Sequence, residues 1–260
     1  MLEAKLEQAA LLKRIVDSIR DIVQDCNFEC SESGLSLQAM DNSHIALVSL
    51  LLGKDGFTDY RCDRSISLGV NVGALTKILK CGGNDDVLTL RAEDKPSVLS
   101  VMFEDSIQDR ISEYNLKLMD VDQEHMGIPD TEYSASVTMP TAEFQRIARD
   151  LHTLSDSVEI DVNKEGITFS CDGDIGAGSI VLKPSSNIDR PEQSINVEIV
   201  EPVTLSFNLK YLNHFCKASG LSNQVTLRLS GEAPLLVEYK LPNGFIRFFL
   251  APKIGDDEEA

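Results

Sequence analysis

The chain has 260 residues, 42% of them hydrophobic, enough for one large folded domain or two ordinary ones. No apolar run approaches the roughly 18 residues of a membrane-spanning helix, and the opening Met1-Leu2-Glu3-Ala4-Lys5 lacks the order of a signal peptide. With 24 basic against 42 acidic residues the net charge is −18, which taken alone argues against a nucleic-acid ligand.

The first predicted helix carries Leu12, Ile15, Val16, Ile19, Ile22 and Val23 at helical spacing. Cys26, Phe28 and Cys30 then share one face of a strand, and a turn through Gly34 leads to Leu35, Leu37 and Ala39. Ile66, Leu68 and Val70 alternate before a short second helix, Val72 to Lys80, with Leu75, Ile78 and Leu79 inward. The turn Gly82-Gly83-Asn84-Asp85 precedes the strand Val87-Leu88-Thr89-Leu90-Arg91. Met119 to Tyr133 is acidic, contains Gly127 and Pro129 and has no helical period; so long a connection is uncommon unless it is functional. The third helix places Phe144, Ile147, Ala148 and Leu151 inward, and Val158/Ile160/Val162 leads to the turn Asn163-Lys164-Glu165-Gly166. Val203/Leu205/Phe207 precedes a fourth helix with Leu209, Leu212, Phe215 and Cys216, and Val225/Leu227/Leu229 follows. Gly255 to Ala260 is an acidic, solvated tail.

The second series repeats the first. Leu12-Lys13-Arg14-Ile15 aligns with Phe144-Gln145-Arg146-Ile147, Leu75–Lys80 with Leu212–Lys217, and Val87–Arg91, which leads to Pro96, with Gln224–Arg228, which leads to Pro234. Order and an offset of 132 to 138 residues hold throughout. The expectation is an α+β chain of two pseudo-repeated domains, 1–117 and 135–254, joined by a connecting loop at 118–134, with the tail at 255–260. Each domain packs two helices on antiparallel sheet, in a strand-helix-three-strand order used four times.

Positive charge is segregated onto the helices. Their polar faces carry Lys13, Arg14 and Arg20, then Lys77 and Lys80, then Arg146 and Arg149, then Lys210 and Lys217: nine basic residues against four acidic ones, inside an acidic chain. Lys and Arg are good helix formers on any exposed face, but the same bias on four helices suits phosphate contact in one place while the rest repels polyanions. Such contact is sequence-blind, since no recognition-helix pattern for base edges and no aromatic stacking platform is present.

No catalytic set is legible. His44, His125, His152 and His214 are isolated, there is no HExxH or GxSxG, and the six cysteines lack metal spacing and suit free buried thiols in a reducing compartment. Asp85/Asp86 and Asp120/Asp122 fit solvated charge in a turn and a linker. Gly173-Asp174-Ile175-Gly176-Ala177-Gly178 has the wrong glycine order for a phosphate loop and is followed by a strand; glycines that let another backbone approach a pairing edge fit better. No metal and no cofactor is expected.

Leu37-Gln38-Ala39-Met40-Asp41-Asn42-Ser43-His44, Tyr60-Arg61-Cys62-Asp63, Lys77-Ile78-Leu79-Lys80-Cys81, Leu88–Asp94, Leu116–Asp120 and Leu250-Ala251-Pro252-Lys253 together resemble the eukaryotic and archaeal DNA sliding clamp family over essentially the whole chain. The resemblance implies the DNA-clamp fold, with subunits closing into a homotrimeric ring around duplex DNA, helices inside and sheets outside. It adds Arg61 to the nine helical cations as a DNA-binding residue. It places ring closure at two edge strands, Asp109 to Lys117 with Tyr114 and Leu116, and Ile175 to Lys183 with Gly178 and Ile180. A hydrophobic partner pocket corresponds to Met40, His44, Ile45, Leu47, Met126, Ile128, Pro129, Pro234, Leu250, Ala251 and Pro252. It would receive the short Gln/hydrophobic/aromatic motif of DNA polymerase, clamp loader, flap nuclease and DNA ligase. Lys164 corresponds to a site of ubiquitin-like attachment, and Gly127 stands where some members carry a second such lysine. The implied role is a nuclear, non-enzymatic processivity factor in replication and repair. The rival reading from net charge is an acidic DNA mimic or adaptor for basic proteins, against which the helical cations count; a nuclease, lacking any metal cluster, ranks third.

Overall fold

The computed structural model describes residues 1–105, 107–122, 127 and 131–253. The chain forms two compact units, Met1–Gly127 with Leu241–Ile246, and Ile128–Lys240 with Arg247–Ala260.

The first contains β1 (Leu2–Leu6), α1 (Ala10–Ile19), β2 (Asp25–Ser31), β3 (Gly34–Met40), β4 (Ala46–Gly53), β5 (Asp59–Cys62), β6 (Ile66–Asn71), α2 (Val72–Leu79), β7 (Val87–Ala92), β8 (Val98–Asp105) and β9 (Arg110–Lys117). Its antiparallel strands run in the orders β4-β3-β2-β6 and β5-β1-β7-β8-β9. The second series consists of β10 (Ala135–Pro140), α3 (Thr141–His152), β11 (Ser157–Asn163), β12 (Gly166–Gly173), β13 (Gly176–Leu182), β14 (Asn196–Ile199), β15 (Val203–Asn208), α4 (Leu209–Phe215), β16 (Gln224–Ser230), β17 (Ala233–Leu241) and β18 (Gly244–Leu250). Its orders, β13-β12-β11-β15 and β14-β10-β16-β17-β18, are those of the first series term by term. The fold is α+β, and the strand-helix-three-strand block recurs four times.

The pleat explains the register. Leu2, Ala4 and Leu6 on β1 face inward, paired with Ala92, Leu90 and Leu88 on β7, while Glu3 and Lys5 face out. Ala135, Val137 and Met139 repeat this on β10 against Leu229, Leu227 and Val225. The helices close each core with Ile15 and Ile19, and with Phe144 and Phe215; Phe215 stacks on Phe248 at 4.7 Å between ring centres. Asn71 and Asn208 cap α2 and α4, their side-chain oxygens accepting from the amides of Ala74 and Lys210, each at 2.9 Å.

The structure departs from the sequence expectations at several points. Each series carries one extra short strand, β5 and β14, lying outermost beside β1 and β10. α1 ends at Ile19 although the apolar spacing continues: the amides of Ile22 and Val23 both return to the Ile19 carbonyl, and their side chains stay buried in a turn. The fourth helix tightens after Phe215 into a 3-10 turn, Cys216–Gly220. Cys81 is exposed, while the other five thiols are buried. Two of the glycines after Cys171 are also required within their own unit: a side chain at Gly173 would meet the Leu154 carbonyl at 2.0 Å, and one at Gly178 the Leu154 side chain at 2.8 Å. The acidic tail lies outside the described residues.

Candidate nucleic-acid interface

Within the first unit α1 packs beside α2, and within the second α3 packs beside α4. In each pair the apolar stripes turn inward, which leaves the basic side chains on the outer faces. Lys77, Lys80 and Lys210 are exposed and form no ion pair with a described residue. Arg20 caps α1 and pairs with Asp17 at 3.0 Å and Asp21 at 3.5 Å; Arg149 and Arg146 share Asp150 at 3.0 and 3.7 Å. Arg14 and Lys217 are exposed on the same helical faces.

Two of the expected cations are placed differently. Lys13 is half-buried, its ammonium donating to the Gly82 carbonyl at 2.6 Å and to Asn84 Oδ1 at 3.2 Å. Desolvation there lowers its pKa, against the attraction of Asp86. The same turn accepts the first amides of α1, Ala10 to Asn84 and Ala9 to Asp86, at 3.0 and 2.8 Å, so Lys13 fastens a turn that stands in for a side-chain cap. Arg61 lies on β5, on the exposed sheet face with Glu3 and away from the helices, forked onto Asp63 at 2.8 and 3.2 Å.

A groove of about 310 Å³ runs between α1 and α2, lined by Lys13, Arg14, Asp17, Thr76, Lys80 and Asn84. Three of its lining residues are cationic and one is anionic. Among the described residues no group of His, Cys, Asp or Glu could hold a metal, and no helix is long and apolar enough to cross a membrane.

β9 and β13 are among the strands that end their sheets with one side unpaired. Tyr114 and Leu116 lie on β9, and Tyr114 meets Phe103 edge-on at 6.0 Å. Gly178 and Ile180 lie on β13, with Ile175 in the turn before it. Ile111 and Ile175 are 69% and 76% exposed, an apolar display that a lone edge strand does not tolerate well.

Met40, His44, Ile45 and Leu47 surround one loop between β3 and β4. Its organiser is Asp41, absent from the sequence-derived set: its carboxylate accepts from the amides of Ser43, Ile45 and Ala46 at 3.1, 2.8 and 2.8 Å. These bonds hold His44 at φ 56° and leave Ile45 41% exposed. The cluster Asp41-Asn42-Ser43 was the available signal, since such residues close turns with their own side chains. In the second unit Pro234 and Ala251 are exposed, Leu250 is buried and Pro252 is half-buried. Met126, Ile128 and Pro129 lie outside the described residues. Lys164 is exposed in the hairpin turn between β11 and β12, where Asn163 Oδ1 accepts from the Glu165 amide at 2.8 Å.

Comparison with known proteins decides the family. The model of the proliferating cell nuclear antigen N-terminal domain matches residues 1–125, and that of the C-terminal domain matches residues 127–254. The chain belongs to the proliferating cell nuclear antigen family. A relative bearing that name, from Chaetomium thermophilum, is 61% identical over 259 residues, which is 99% of this chain and 100% of the relative. Membership accounts for the doubled topology, since the family's two domain models fall one on each copy of the series.

Proposed function

We infer that the chain is the subunit of a sliding clamp, a processivity factor that encircles duplex DNA and serves replication and repair. The observation that carries this reading is the match of both family models along a chain whose two series share one strand order. The clamp is a homotrimer that binds DNA and replication or repair proteins. It acts as a tether and performs no chemistry of its own, and its place is the nucleus.

Finer assignments follow from the resemblance together with local geometry. Arg14, Arg20, Lys77, Lys80, Arg146, Arg149, Lys210 and Lys217 touch phosphate, Arg20, Arg146 and Arg149 by exchanging their aspartates for it; Lys13 and Arg61 belong to the proposed set but are held by the turn at Gly82 and by Asp63. β9 of one subunit pairs with β13 of the next, supported by two unpaired edges and by Ile111 and Ile175. Met40, His44, Ile45, Leu47, Met126, Ile128, Pro129, Pro234, Leu250, Ala251 and Pro252 receive the motif of polymerase, loader, flap nuclease and ligase, with Met lending adaptability. Residues 118–134 act as the connecting loop, and exposed Lys164 is the acceptor for ubiquitin-like modifiers. An acidic DNA mimic is disfavoured, because a mimic has no use for two cationic helix pairs.

The test is topological. Protein loaded on closed circular DNA stays bound through a salt wash and runs off once the circle is cut. Equal retention on both forms refutes encirclement.

A further inference from the structure

The connecting loop does not begin where regular structure ends. After β9, the Leu118 amide donates to the Ser97 carbonyl at 3.0 Å, the Met119 amide to the Gly69 carbonyl at 2.9 Å, and Asn27 Nδ2 to the Val121 carbonyl at 2.9 Å. β6, which carries Gly69, is the outermost strand of its ladder, so the Met119 bond covers an open edge. A Cβ at Gly69 would lie 1.9 Å from the Met119 carbonyl oxygen; only glycine admits the chain there. Asn27 pairs directly opposite Gly69 on β2.

The second unit repeats the device. After β18 the Lys253 amide donates to the Ser206 carbonyl at 2.8 Å, and Ser206 pairs with Glu159 as Gly69 pairs with Asn27. Only the first unit adds the glycine slot and the amide donor.

We propose that Gly69 and Asn27 are positioning residues for partner recruitment: they fasten residues 118–121, the start of the connecting loop, to the edge of their own unit. This rests on the pocket assigned above. Met119 is 44% exposed, so backbone hydrogen bonds, and not burial of its side chain, hold the segment. A connector released at this end samples many exits, and apparent affinity falls with the fraction that remains competent.

The test uses the whole protein and a synthetic peptide carrying Gln, an aliphatic residue and two adjacent aromatics. Gly69→Ala is expected to speed hydrogen exchange at Leu118 and Met119, to leave the β2–β6 ladder protected, and to weaken the peptide about tenfold, as a competent fraction of about one tenth requires. Retention on circular DNA stays unchanged. Asn27→Ala, which leaves the slot intact, gives a smaller loss, and the isosteric Asn27→Asp, with no N–H to donate, reproduces it. Unchanged peptide affinity despite released amides overturns the proposal, as does full protection of Leu118 and Met119 in Gly69→Ala. Pro234→Glu separates the two readings: if it too leaves affinity unchanged, the pocket assignment fails, whatever exchange shows at the anchor.

Discussion

Lys13 and Lys80 look interchangeable in the sequence, and the structure gives them opposite behaviour when each is changed to Gln. Lys80 is exposed at the C-terminal cap of α2 and lines the groove. A cation that neutralises one phosphate contributes about 0.9 to the slope of log affinity against log salt, so each lost contact spares about 3.5-fold of affinity over a fourfold rise in salt. Lys80→Gln should therefore flatten the salt dependence without altering the melt. The Lys13 ammonium is committed to Gly82 and Asn84. A hydrogen bond from a charged, half-buried donor is worth about 1.5–3 kcal/mol, and exposure of Lys13 argues for the low end. Lys13→Gln should lower the melting temperature by several degrees and speed exchange of the Ala9 and Ala10 amides, with the salt slope intact. The assay is fluorescence anisotropy of a labelled duplex across a salt series, with thermal unfolding in parallel. If Lys13→Gln flattens the slope as much as Lys80→Gln and leaves the melt alone, the assignment of Lys13 to the turn is wrong.

Three further outcomes are expected. Ile175→Glu places charge on a side chain with no role in its own unit, so light scattering should report a mass below three subunits at micromolar concentration, with unchanged circular dichroism; an intact trimer would remove β13 from the ring interface. Glu238 is 3% exposed and is held by Arg247 at 2.5 Å, with Arg228 at 3.8 Å. Arg247→Met strands much of that buried charge and should cost about 3 kcal/mol in urea unfolding, whereas adding Glu238→Gln should recover part of it; additive losses would contradict the pairing. His214 has its pKa lowered first by burial and then by Lys210 and His152. The unfolded chain then binds more protons, so stability holds above a pH of about 6.5 and falls as the pH drops below it; His214→Asn should flatten that acid limb, and an unchanged limb would clear His214.

What the sequence made legible was what repeats with a period. Alternation at Leu2/Ala4/Leu6 or Val158/Ile160/Val162, and helical spacing at Phe144/Ile147/Leu151, register which side chains leave water, and burial follows them closely. Hydrogen bonding is less visible. Ile22 and Val23 kept the helical pattern because they remain buried, although their amides had already left the helix. β5 and β14 escaped notice because four half-exposed residues carry too little apolar contrast. The candidate site shows the same division. That cations gather on the helices was countable; that Arg149 is shared with Asp150, or that Lys13 turns back to a carbonyl, depends on distances no spacing rule supplies. Asp41 and Gly69 went unread for a related reason. Each acts through a backbone atom several residues or a whole strand away.

If the helical cations meet phosphate as proposed, their pairing with aspartates bears on how the clamp moves. A guanidinium such as Arg149, already leaning on Asp150, does not gain a bare attraction when a phosphate arrives; it exchanges one anion for another. The exchange returns little net energy, and stepping to the next phosphate therefore crosses only a shallow barrier. Friction along the duplex is set by that difference rather than by the full strength of a salt bridge. Under that proposal a surface of unpaired arginines would grip harder and travel more slowly, and the aspartates would act as the lubricant.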